Sequence, residues 1–330
     1  CPTRSNPPPP RDSSTLRLRL RPPPEPNEAP AVDTLKLLES AKVDDLTEKT
    51  NIILEGQYKV AYDAMMDAHN AGLYVGLIGP VGAGKTALCR KFAEDLGKPF
   101  DWVTFSDLVR PSNLIGSFDP TLVFKYGFAA EAFSPGPFTV SALQGGVFLA
   151  NELNRGDEYV LNTLLDALEE KKLYIPSLRQ WYAVSDDFYL IAAMNPVANR
   201  GTRRLPSAVQ DRIKVWVDLG YPNKSTELKI VKGKCGEYTL SGATLERILE
   251  LVEATRTDPA VERPASIRSS IGIARLAGER ARRLGTEVTS EVLADAAKLT
   301  LTQAIALKPG RNKDKYLASL LMKVLGTKGS

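Results

Sequence analysis

One glycine-rich run has the residue types and spacing to bind phosphate: it opens at Gly79 and reads Gly-Pro-Val-Gly-Ala-Gly-Lys-Thr. Glycines let the backbone wrap closely around a phosphate chain and point its N–H groups inward. Lys85 would neutralise the outer phosphate oxygens, and the Thr86 hydroxyl would bind Mg²⁺. The run therefore predicts a P-loop for a nucleoside triphosphate and Mg²⁺. The predicted binding residues are Gly79, Pro80, Val81, Gly82, Ala83, Gly84, Lys85, Thr86 and Ala87.

The loop alone does not decide the class of protein, because kinases, GTPases and motor ATPases share it. The segment that ends in Asn151-Glu152 narrows the choice, since it is an apolar strand pattern with a carboxylate at its tip. A glutamate there can orient or deprotonate a water for in-line attack, which favours an ATPase over a small-molecule kinase. Asn195 follows a second apolar segment and could hold the same water, although an Asn before a Pro more often makes a turn.

An arginine at a predicted helix end, Arg212, could complete such a site. An arginine presented to the γ-phosphate of a neighbouring subunit compensates charge and accelerates hydrolysis by ~10³-fold or more. Taken alone, the same residue is more simply a salt-bridged arginine of the surface.

These residues need a parallel sheet to bring them together, and the sequence predicts one. Short apolar runs alternate with helical patterns up to about Leu219, which is typical of a parallel sheet covered on both faces. After Tyr221 the apolar residues recur at helical spacing. We predict a three-layer α/β/α P-loop fold with a parallel five-stranded sheet, followed by a small all-α lid domain. The predicted strands are Leu73 to Ile78, Phe100 to Phe105, Val147 to Ala150, Phe188 to Met194 and Val215 to Leu219.

Composition sets the outer boundaries of these domains. Ten of the 23 prolines lie in residues 1–30, where they hold the backbone extended and remove hydrogen-bond donors. We therefore predict a disordered tail at 1–32, with a docking peptide as the less favoured alternative. The ATPase core is predicted at 33–220 and the lid at 221–330.

Charge and cysteine content restrict the partners and the compartment. The 43 Lys and Arg residues nearly balance the 39 Asp and Glu residues, so a nucleic-acid partner is not expected. Cysteines at positions 1, 89 and 235 form neither a metal-binding spacing nor a disulfide framework, which favours a cytoplasmic location. No apolar run approaches the ~20 residues of a membrane span.

Taken together and in this order, the motifs resemble the MoxR family of AAA+ ATPases, in the helix-2-insert group that also holds the RavA and CbbQ/NorQ proteins. The resemblance covers about residues 50 to 300. Besides the P-loop, the segments that carry it are Pro111-Ser-Asn-Leu-Ile-Gly-Ser117, Pro135-Gly-Pro-Phe138, Asn151-Glu-Leu-Asn-Arg155, Ala193-Met-Asn-Pro196 and Leu205-Pro-Ser-Ala-Val-Gln-Asp-Arg212.

The resemblance implies a role for each matched residue. Glu152 corresponds to the catalytic Walker B glutamate, Asn195 to sensor 1, and Arg212 to the arginine finger that acts on the neighbouring subunit. In the segment Pro264-Ala-Ser-Ile-Arg268, Arg268 resembles sensor 2, the lid arginine that contacts the γ-phosphate. An exposed helix arginine is the alternative interpretation of Arg268.

Two further segments resemble family elements that face the pore or the partner. Residues 119–138 resemble the helix-2 insert, and Leu173 to Val184 resemble the hairpin that precedes sensor 1. The resemblance also implies assembly, expected to be a homo-oligomeric ring of six subunits. It further implies a protein client, which in this family is often a von Willebrand factor A domain protein.

Position 151 departs from the family pattern, which has aspartate where this chain has Asn151. An amide oxygen can still accept a hydrogen bond from a water bound to Mg²⁺, but it lacks the full negative charge. We therefore expect Thr86 and Asn151 to serve the metal, with nucleotide binding retained and hydrolysis slow.

Two functions follow from these observations. The first is an ATP-dependent chaperone of the MoxR type that hydrolyses ATP with Mg²⁺ and remodels a protein partner. The second is a nucleotide-dependent binding switch whose hydrolysis is vestigial, which Asn151 favours and the intact Lys85, Glu152 and Arg212 oppose.

Overall fold

The computed structural model describes residues 52–196, 203–238 and 240–326, all of which lie in one compact unit, Val43–Ser330. The predicted tail at 1–32 and the predicted start of the core at 33 lie outside the described residues. None of the described helices is long and apolar enough to span a membrane.

Strands and helices alternate through the first two thirds of the described chain. The strands are β1 (Val75–Ile78), β2 (Phe100–Thr104), β3 (Gly116–Phe118), β4 (Phe133–Pro135), β5 (Val147–Asn151), β6 (Lys172–Ile175), β7 (Gln180–Ala183), β8 (Tyr189–Met194), β9 (Val215–Asp218), β10 (Val261–Arg263) and β11 (Ala306–Leu307). The helices are α1 (Gln57–Asn70), α2 (Lys85–Asp95), α3 (Pro111–Ile115), α4 (Pro120–Tyr126), α5 (Pro137–Gln144), α6 (Glu158–Asn162), α7 (Leu165–Glu169), α8 (Ser207–Arg212), α9 (Lys224–Lys234), α10 (Gly242–Thr257), α11 (Ile267–Leu284), α12 (Ser290–Ala304) and α13 (Lys313–Leu325).

The central sheet has five strands in the order β2-β5-β8-β1-β9, and every neighbouring pair is parallel. The predicted parallel sheet is therefore confirmed, and each strand overlaps its predicted run. Parallel strands end at the same edge of a sheet. Lys85, Glu152 and Asn195 follow β1, β5 and β8, which are neighbours, so the sheet brings these residues to one edge.

The inner strands β5 and β8 are buried on both faces because their alternate side chains enter two different clusters. Leu149 of β5 belongs to the same cluster as Phe92 of α2. The next residue back, Phe148, lies on the opposite face, where its ring centroid is 5.1 Å from that of Phe138 in α5. Helices on both faces confirm the predicted three-layer arrangement.

The C-terminal region is helical as predicted and has its own apolar cluster, formed by α9 to α13. It differs from the all-α prediction in one detail, since β10 and β11 form a short antiparallel pair. Arg263 precedes Pro264, and a residue before proline is pushed away from the helical region toward extended backbone. This explains why the chain before α11 pairs as a strand.

Two smaller antiparallel pairs lie at the predicted insert and hairpin. β3 and β4 flank α4, with β3 just before the predicted insert at 119–138 and β4 inside it, and β6 and β7 form a hairpin that begins one residue before the predicted Leu173 to Val184. Large apolar side chains are exposed on both elements: Phe124 exposes 93% of its surface, Phe128 81% and Trp181 53%. These faces are not covered by the rest of the described chain.

Candidate active site

A cavity of 510 Å³ lies at the edge of the sheet where β1, β5 and β8 end, between the core and the helical region. Core residues Val81 to Ala87, Asn151, Glu152 and Asn195 line it, and the helices contribute Ile230, Ile267, Arg268 and Ile271. The structure thus brings the predicted phosphate loop, the strand-end residues and the predicted lid arginine to one cavity.

The loop backbone has a conformation that requires glycine. Gly82 and Gly84 have φ angles of 76° and 88°, in the left-handed region that other residues rarely adopt. A Cβ atom on Gly79 would lie 2.0 Å from the carbonyl oxygen of Leu219, just after β9. The glycines therefore permit both the tight turn and its packing against the sheet.

Lys85 is the buried cation of the cavity, with 7% of its surface exposed. Its ammonium donates to the carbonyl oxygens of Gly79 at 2.6 Å and Pro80 at 3.1 Å, and to Asn195 Oδ1 at 3.0 Å. Gly79 and Pro80 are thus connected to the site through Lys85 and do not line the cavity. Burial lowers the pKa of Lys85 to about 8, and the carboxylate of Glu152 acts in the opposite direction.

Hydrogen bonds to both its side chain and its backbone hold Asn195 in place. Its side chain accepts from Lys85, and its carbonyl oxygen accepts from Nδ2 of Asn154 at 3.0 Å. Asn154 is 1% exposed, and its Oδ1 has no hydrogen-bond partner. Asn154 is a site residue that sequence reasoning did not single out, although it lies within a quoted motif.

Glu152 stands in a strained turn directly after β5. Its φ of 53° and ψ of 39° place a non-glycine residue in the left-handed region, which is typical of functional sites. Its Oε2 atom forms an ion pair with Nη1 of Arg155 at 2.9 Å. The turn therefore directs the carboxylate toward the cavity edge, where Arg155 holds it.

Thr86 and Asn151, the predicted metal residues, both line the cavity. Asn151 Nδ2 donates to Thr104 Oγ1 at 3.1 Å, which leaves Oδ1 as the atom able to accept from a metal-bound water. No group of three or more His, Cys, Asp or Glu side chains suited to a metal occurs in the described ranges. The oxygens of Thr86 and Asn151 are the side-chain atoms on this part of the lining that could serve a hard cation or its bound water.

Arg268 lines the cavity from the first turn of α11. The same helix start packs on the P-loop so closely that a Cβ atom on Gly82 would lie 2.6 Å from Cβ of Ser266. The backbone at Arg268 is therefore held close to the phosphate loop, while its side chain is exposed in the cavity.

Arg212 does not line the cavity. It ends α8 and forms ion pairs with Asp211, at 2.8 Å, and with Glu169 of α7. The structure thus separates Arg212 from the other predicted catalytic residues of the same chain.

Sequence reasoning also missed two tyrosines that hold the P-loop. The hydroxyl of Tyr58 donates to the carbonyl oxygen of Ala83 at 2.8 Å, and that of Tyr221 donates to the carbonyl oxygen of Val81 at 3.1 Å. Their partners are distant in the chain, so no local pattern could have indicated them.

The arrangement fits a polyphosphate attached to a flat base. The buried ammonium of Lys85, whose pKa is lowered, would be stabilised by a neighbouring anion. The P-loop, with its left-handed glycines, and the start of α2 favour the binding of phosphate. Apolar side chains of Ile52, Ile230 and Ile271 form another part of the lining and suit the faces of such a base.

The chain matches one known domain family and is similar to several curated proteins. Residues 75–213 match the AAA domain of the dynein-related subfamily. The chain is 26% identical over 223 residues to the gas vesicle ATPase GvpN of Ancylobacter aquaticus, covering 63% of this chain and 61% of that protein. It is 27% identical over 176 residues to the chaperone MoxR1 of Mycobacterium tuberculosis, covering 52% of this chain and 44% of the relative. It is 27% identical to the uncharacterised protein YeaC of Bacillus subtilis, covering 59% of this chain and 65% of that one.

The chain therefore spans less than two thirds of the length of these relatives. Among solved structures, a point mutant of RuvB from Thermotoga maritima matches with a TM-score of 0.54 at 16% identity, over 82% of this chain and 77% of that one. This match supports the fold alone. The domain match and these curated relatives agree with the resemblance of the motifs to the MoxR family of AAA+ ATPases.

Proposed function

We propose that the chain hydrolyses ATP with Mg²⁺ as part of a ring of identical subunits and uses the reaction to remodel a protein partner. The observation that carries the proposal is the meeting of Lys85, Glu152, Asn195 and Arg268 at one cavity beside the P-loop. When bound, Mg²⁺-ATP supplies the anhydride bond to be broken and the negative charge that these residues neutralise.

The chain's own residues divide the work between binding and water activation. Lys85 and the loop N–H groups would neutralise phosphate charge, and Thr86 and Asn151 would serve the metal. Glu152 would orient the attacking water and accept its proton, with Asn195 holding the water in line. The ion pair with Arg155 keeps the Glu152 carboxylate ordered.

Assembly is proposed because one chain does not complete the set. Arg212 lies outside the cavity of its own chain, and its side chain, which is 24% exposed, would reach a neighbour only after releasing Glu169. A ring, expected to have six subunits, would place this arginine at the next subunit's γ-phosphate.

Two variants that are each inactive test this arrangement. Arg212→Ala keeps an intact cavity and lacks the finger, whereas Glu152→Gln lacks the base and keeps the finger. Mixing the two proteins should restore part of the Mg²⁺-dependent phosphate release, because some Arg212→Ala sites then receive a finger. Mixing Lys85→Ala with Glu152→Gln is the matched control and should restore nothing, because every cavity is defective. Absence of rescue in the first mixture would contradict a finger that acts between subunits.

The client is proposed to be a protein, by analogy with the relative called chaperone MoxR1. The exposed Phe124, Phe128 and Trp181 on the insert and the hairpin are candidate contacts for it. A von Willebrand factor A domain protein is the expected class of client. Glu152→Gln with ATP should retain such a partner in a pull-down more strongly than Lys85→Ala, which is expected to bind ATP much more weakly.

A second candidate function is a nucleotide-dependent switch with vestigial hydrolysis, favoured by Asn151 in place of aspartate. The two functions differ in steady-state phosphate release with Mg²⁺. A switch would bind ATP and assemble but release no phosphate above the Glu152→Gln background.

A further inference from the structure

A buried ion pair connects three helices of the C-terminal region. Arg256 of α10 forms two hydrogen bonds with Glu227 of α9, at 2.6 and 3.0 Å, and the two side chains are only 8% and 3% exposed. Ser270 of α11 donates to the same carboxylate at 2.7 Å. None of these residues has a part in the hydrolysis described above.

Tyr221 links this ion pair to the phosphate loop. Its ring centroid lies 4.1 Å from Cζ of Arg256, a cation–π contact, while its hydroxyl donates to the carbonyl oxygen of Val81 in the P-loop. Burial raises the pKa of Tyr221, so its hydroxyl remains a donor at neutral pH. The side chain thus contacts the lid with its face and the loop with its tip.

The position of Tyr221 in the chain makes the link mechanically relevant. It lies between β9, the last strand of the core, and α9, the first helix of the lid. Its carbonyl oxygen accepts a hydrogen bond from the side chain of Gln57 in α1. Tyr221 is therefore held by the core at its backbone and by the lid at its ring.

A purely structural role does not account well for a buried ion pair at this place. Removing two charges from water offsets much of their attraction, and apolar residues of similar size often stabilise a fold as well. The pair lies next to the start of α11, since Ser270 is one turn from Ser266, which packs on Gly82. The lid thus contacts the P-loop both through Tyr221 and through the helix that carries Arg268.

We propose that Tyr221 and the Glu227–Arg256 pair are positioning residues that couple the lid helices to the P-loop and so fix Arg268 against the bound triphosphate. The assignment of Arg268 rests on the proposed function, whereas the coupling itself is a property of the folded chain. Tyr221 would then matter more for ATP than for ADP, because only ATP carries the phosphate that Arg268 contacts.

The first experiment needs no nucleotide. Amide hydrogen exchange is compared for the wild type, for Tyr221→Leu, which removes hydroxyl and ring, and for the control Tyr189→Phe. Tyr189 also donates to a carbonyl oxygen, that of Leu73 at 2.7 Å, but at the opposite edge of the sheet. We expect Tyr221→Leu to speed exchange severalfold in both the P-loop and residues 224–270, and the control to leave both unchanged. Faster exchange in the P-loop alone would overturn the coupling.

The second experiment measures the ratio of affinities for a non-hydrolysable ATP analogue and ADP. Loss of a hydrogen bond of ordinary strength predicts that Tyr221→Leu lowers this ratio about fivefold. In an Arg268→Ala background the same substitution should change the ratio less than twofold, because the arginine to be positioned is absent. Equal effects in both backgrounds would show that Tyr221 acts on the loop alone and would overturn the positioning role.

The two arms separate failure of this inference from failure of the proposed function. If the wild-type protein binds neither nucleotide, the proposed function is wrong, and the exchange experiment alone then tests the coupling. If Arg268→Ala leaves the affinity ratio unchanged, the sensor assignment is wrong and the positioning role falls with it. Rescue of the ratio by Tyr221→Phe, which retains the ring and lacks the hydroxyl, would show that the bond to Val81 is not needed and would overturn the link between Tyr221 and the loop.

Discussion

The two predicted catalytic arginines lie in different regions of the molecule. One lines the cavity, and the other lies on the outer face of the core at α7 and α8. Arg268 lines the cavity, where it contributes to lowering the pKa of Lys85. Arg212 is outside it, partly buried and paired with the more exposed carboxylates of Glu169 and Asp211. One chain therefore assembles the groups for binding a nucleotide and keeps the proposed finger apart.

The difference lies in burial and partners. The cavity residues have few alternatives, since Lys85 and Asn195 are nearly buried and hydrogen-bonded to one another. Arg212 is partly buried, with 24% of its side chain exposed, but its partners Glu169 and Asp211 are 50% and 63% exposed. Pairs with such exposed carboxylates contribute only about 0 to 1 kcal/mol, so a stronger partner can displace them. The binding groups are therefore fixed in advance, whereas the proposed finger can exchange partners.

Removing the Arg212 side chain should have the greatest effect on ATP turnover and should leave the cavity intact. Arg212→Ala should lower ATP turnover about 10³-fold, because the charge at the neighbouring γ-phosphate is lost. Affinity for ATP should stay within about twofold of the wild type, since Arg212 is not part of its own cavity. Phosphate release and a fluorescent-nucleotide titration measure the two quantities.

Lys214→Ala is the matched control for that variant. Lys214 forms an ion pair with the same Asp211, at 2.7 Å, and lies close in the chain. Its loss should leave turnover nearly unchanged. Equal damage from both substitutions would mean that Arg212 only stabilises this surface.

Removing the Lys85 side chain should have the second greatest effect, on ATP binding in the cavity. Lys85→Ala should weaken ATP binding on the order of 100-fold, because a charge-assisted contact with phosphate is lost from a buried site. Lys91→Ala, in the same helix but paired with Asp95 at the surface, should bind ATP like the wild type. Calorimetric titration compares the two, and ATP uptake by Lys85→Ala equal to that of the wild type would contradict the site.

How far the sequence could predict these regions depends on whether the determinants are local. The P-loop, β5 with Glu152 and β8 with Asn195 are each encoded in a short segment, and the rule that parallel strands end at one edge brings them together. The Arg256–Glu227 and Tyr221–Val81 contacts join residues 29 and 140 positions apart, so no local pattern marks them. The tail predicted at 1–32 lies outside the described residues and stays a prediction.

A smaller effect is expected in the pH dependence of ATP binding to the cavity. The pKa of Lys85 is lowered to about 8 from an ordinary value of 10.5, and a bound phosphate should raise it again. Between these values the complex holds a proton that the free protein has lost, so ATP binding should take up protons and weaken by up to about tenfold per pH unit. As the pH falls below 8 the lysine becomes charged in both states, so this dependence should fade.

Calorimetry in buffers of different ionisation enthalpy measures the uptake at pH 9 and at pH 7.5. We expect the larger uptake at pH 9. Lys85→Arg is the control, because a guanidinium stays protonated throughout this range and should remove the uptake wherever it still supports binding. Equal proton uptake at the two pH values would mean that the titrating group is not Lys85.

The smallest expected effect concerns the metal side of the cavity. Asn151→Asp adds a full negative charge next to Thr86 and should lower the Mg²⁺ concentration needed for half-maximal turnover, with turnover itself rising severalfold. The Thr104 hydroxyl, which now accepts from Asn151, can rotate to donate to the new carboxylate, so the local packing should survive. ATP affinity measured in EDTA should fall slightly or not at all, because the added charge opposes the phosphates when no cation lies between them. An unchanged or lower turnover would show that the asparagine does not limit hydrolysis, and the binding-switch function would lose the one residue that favours it.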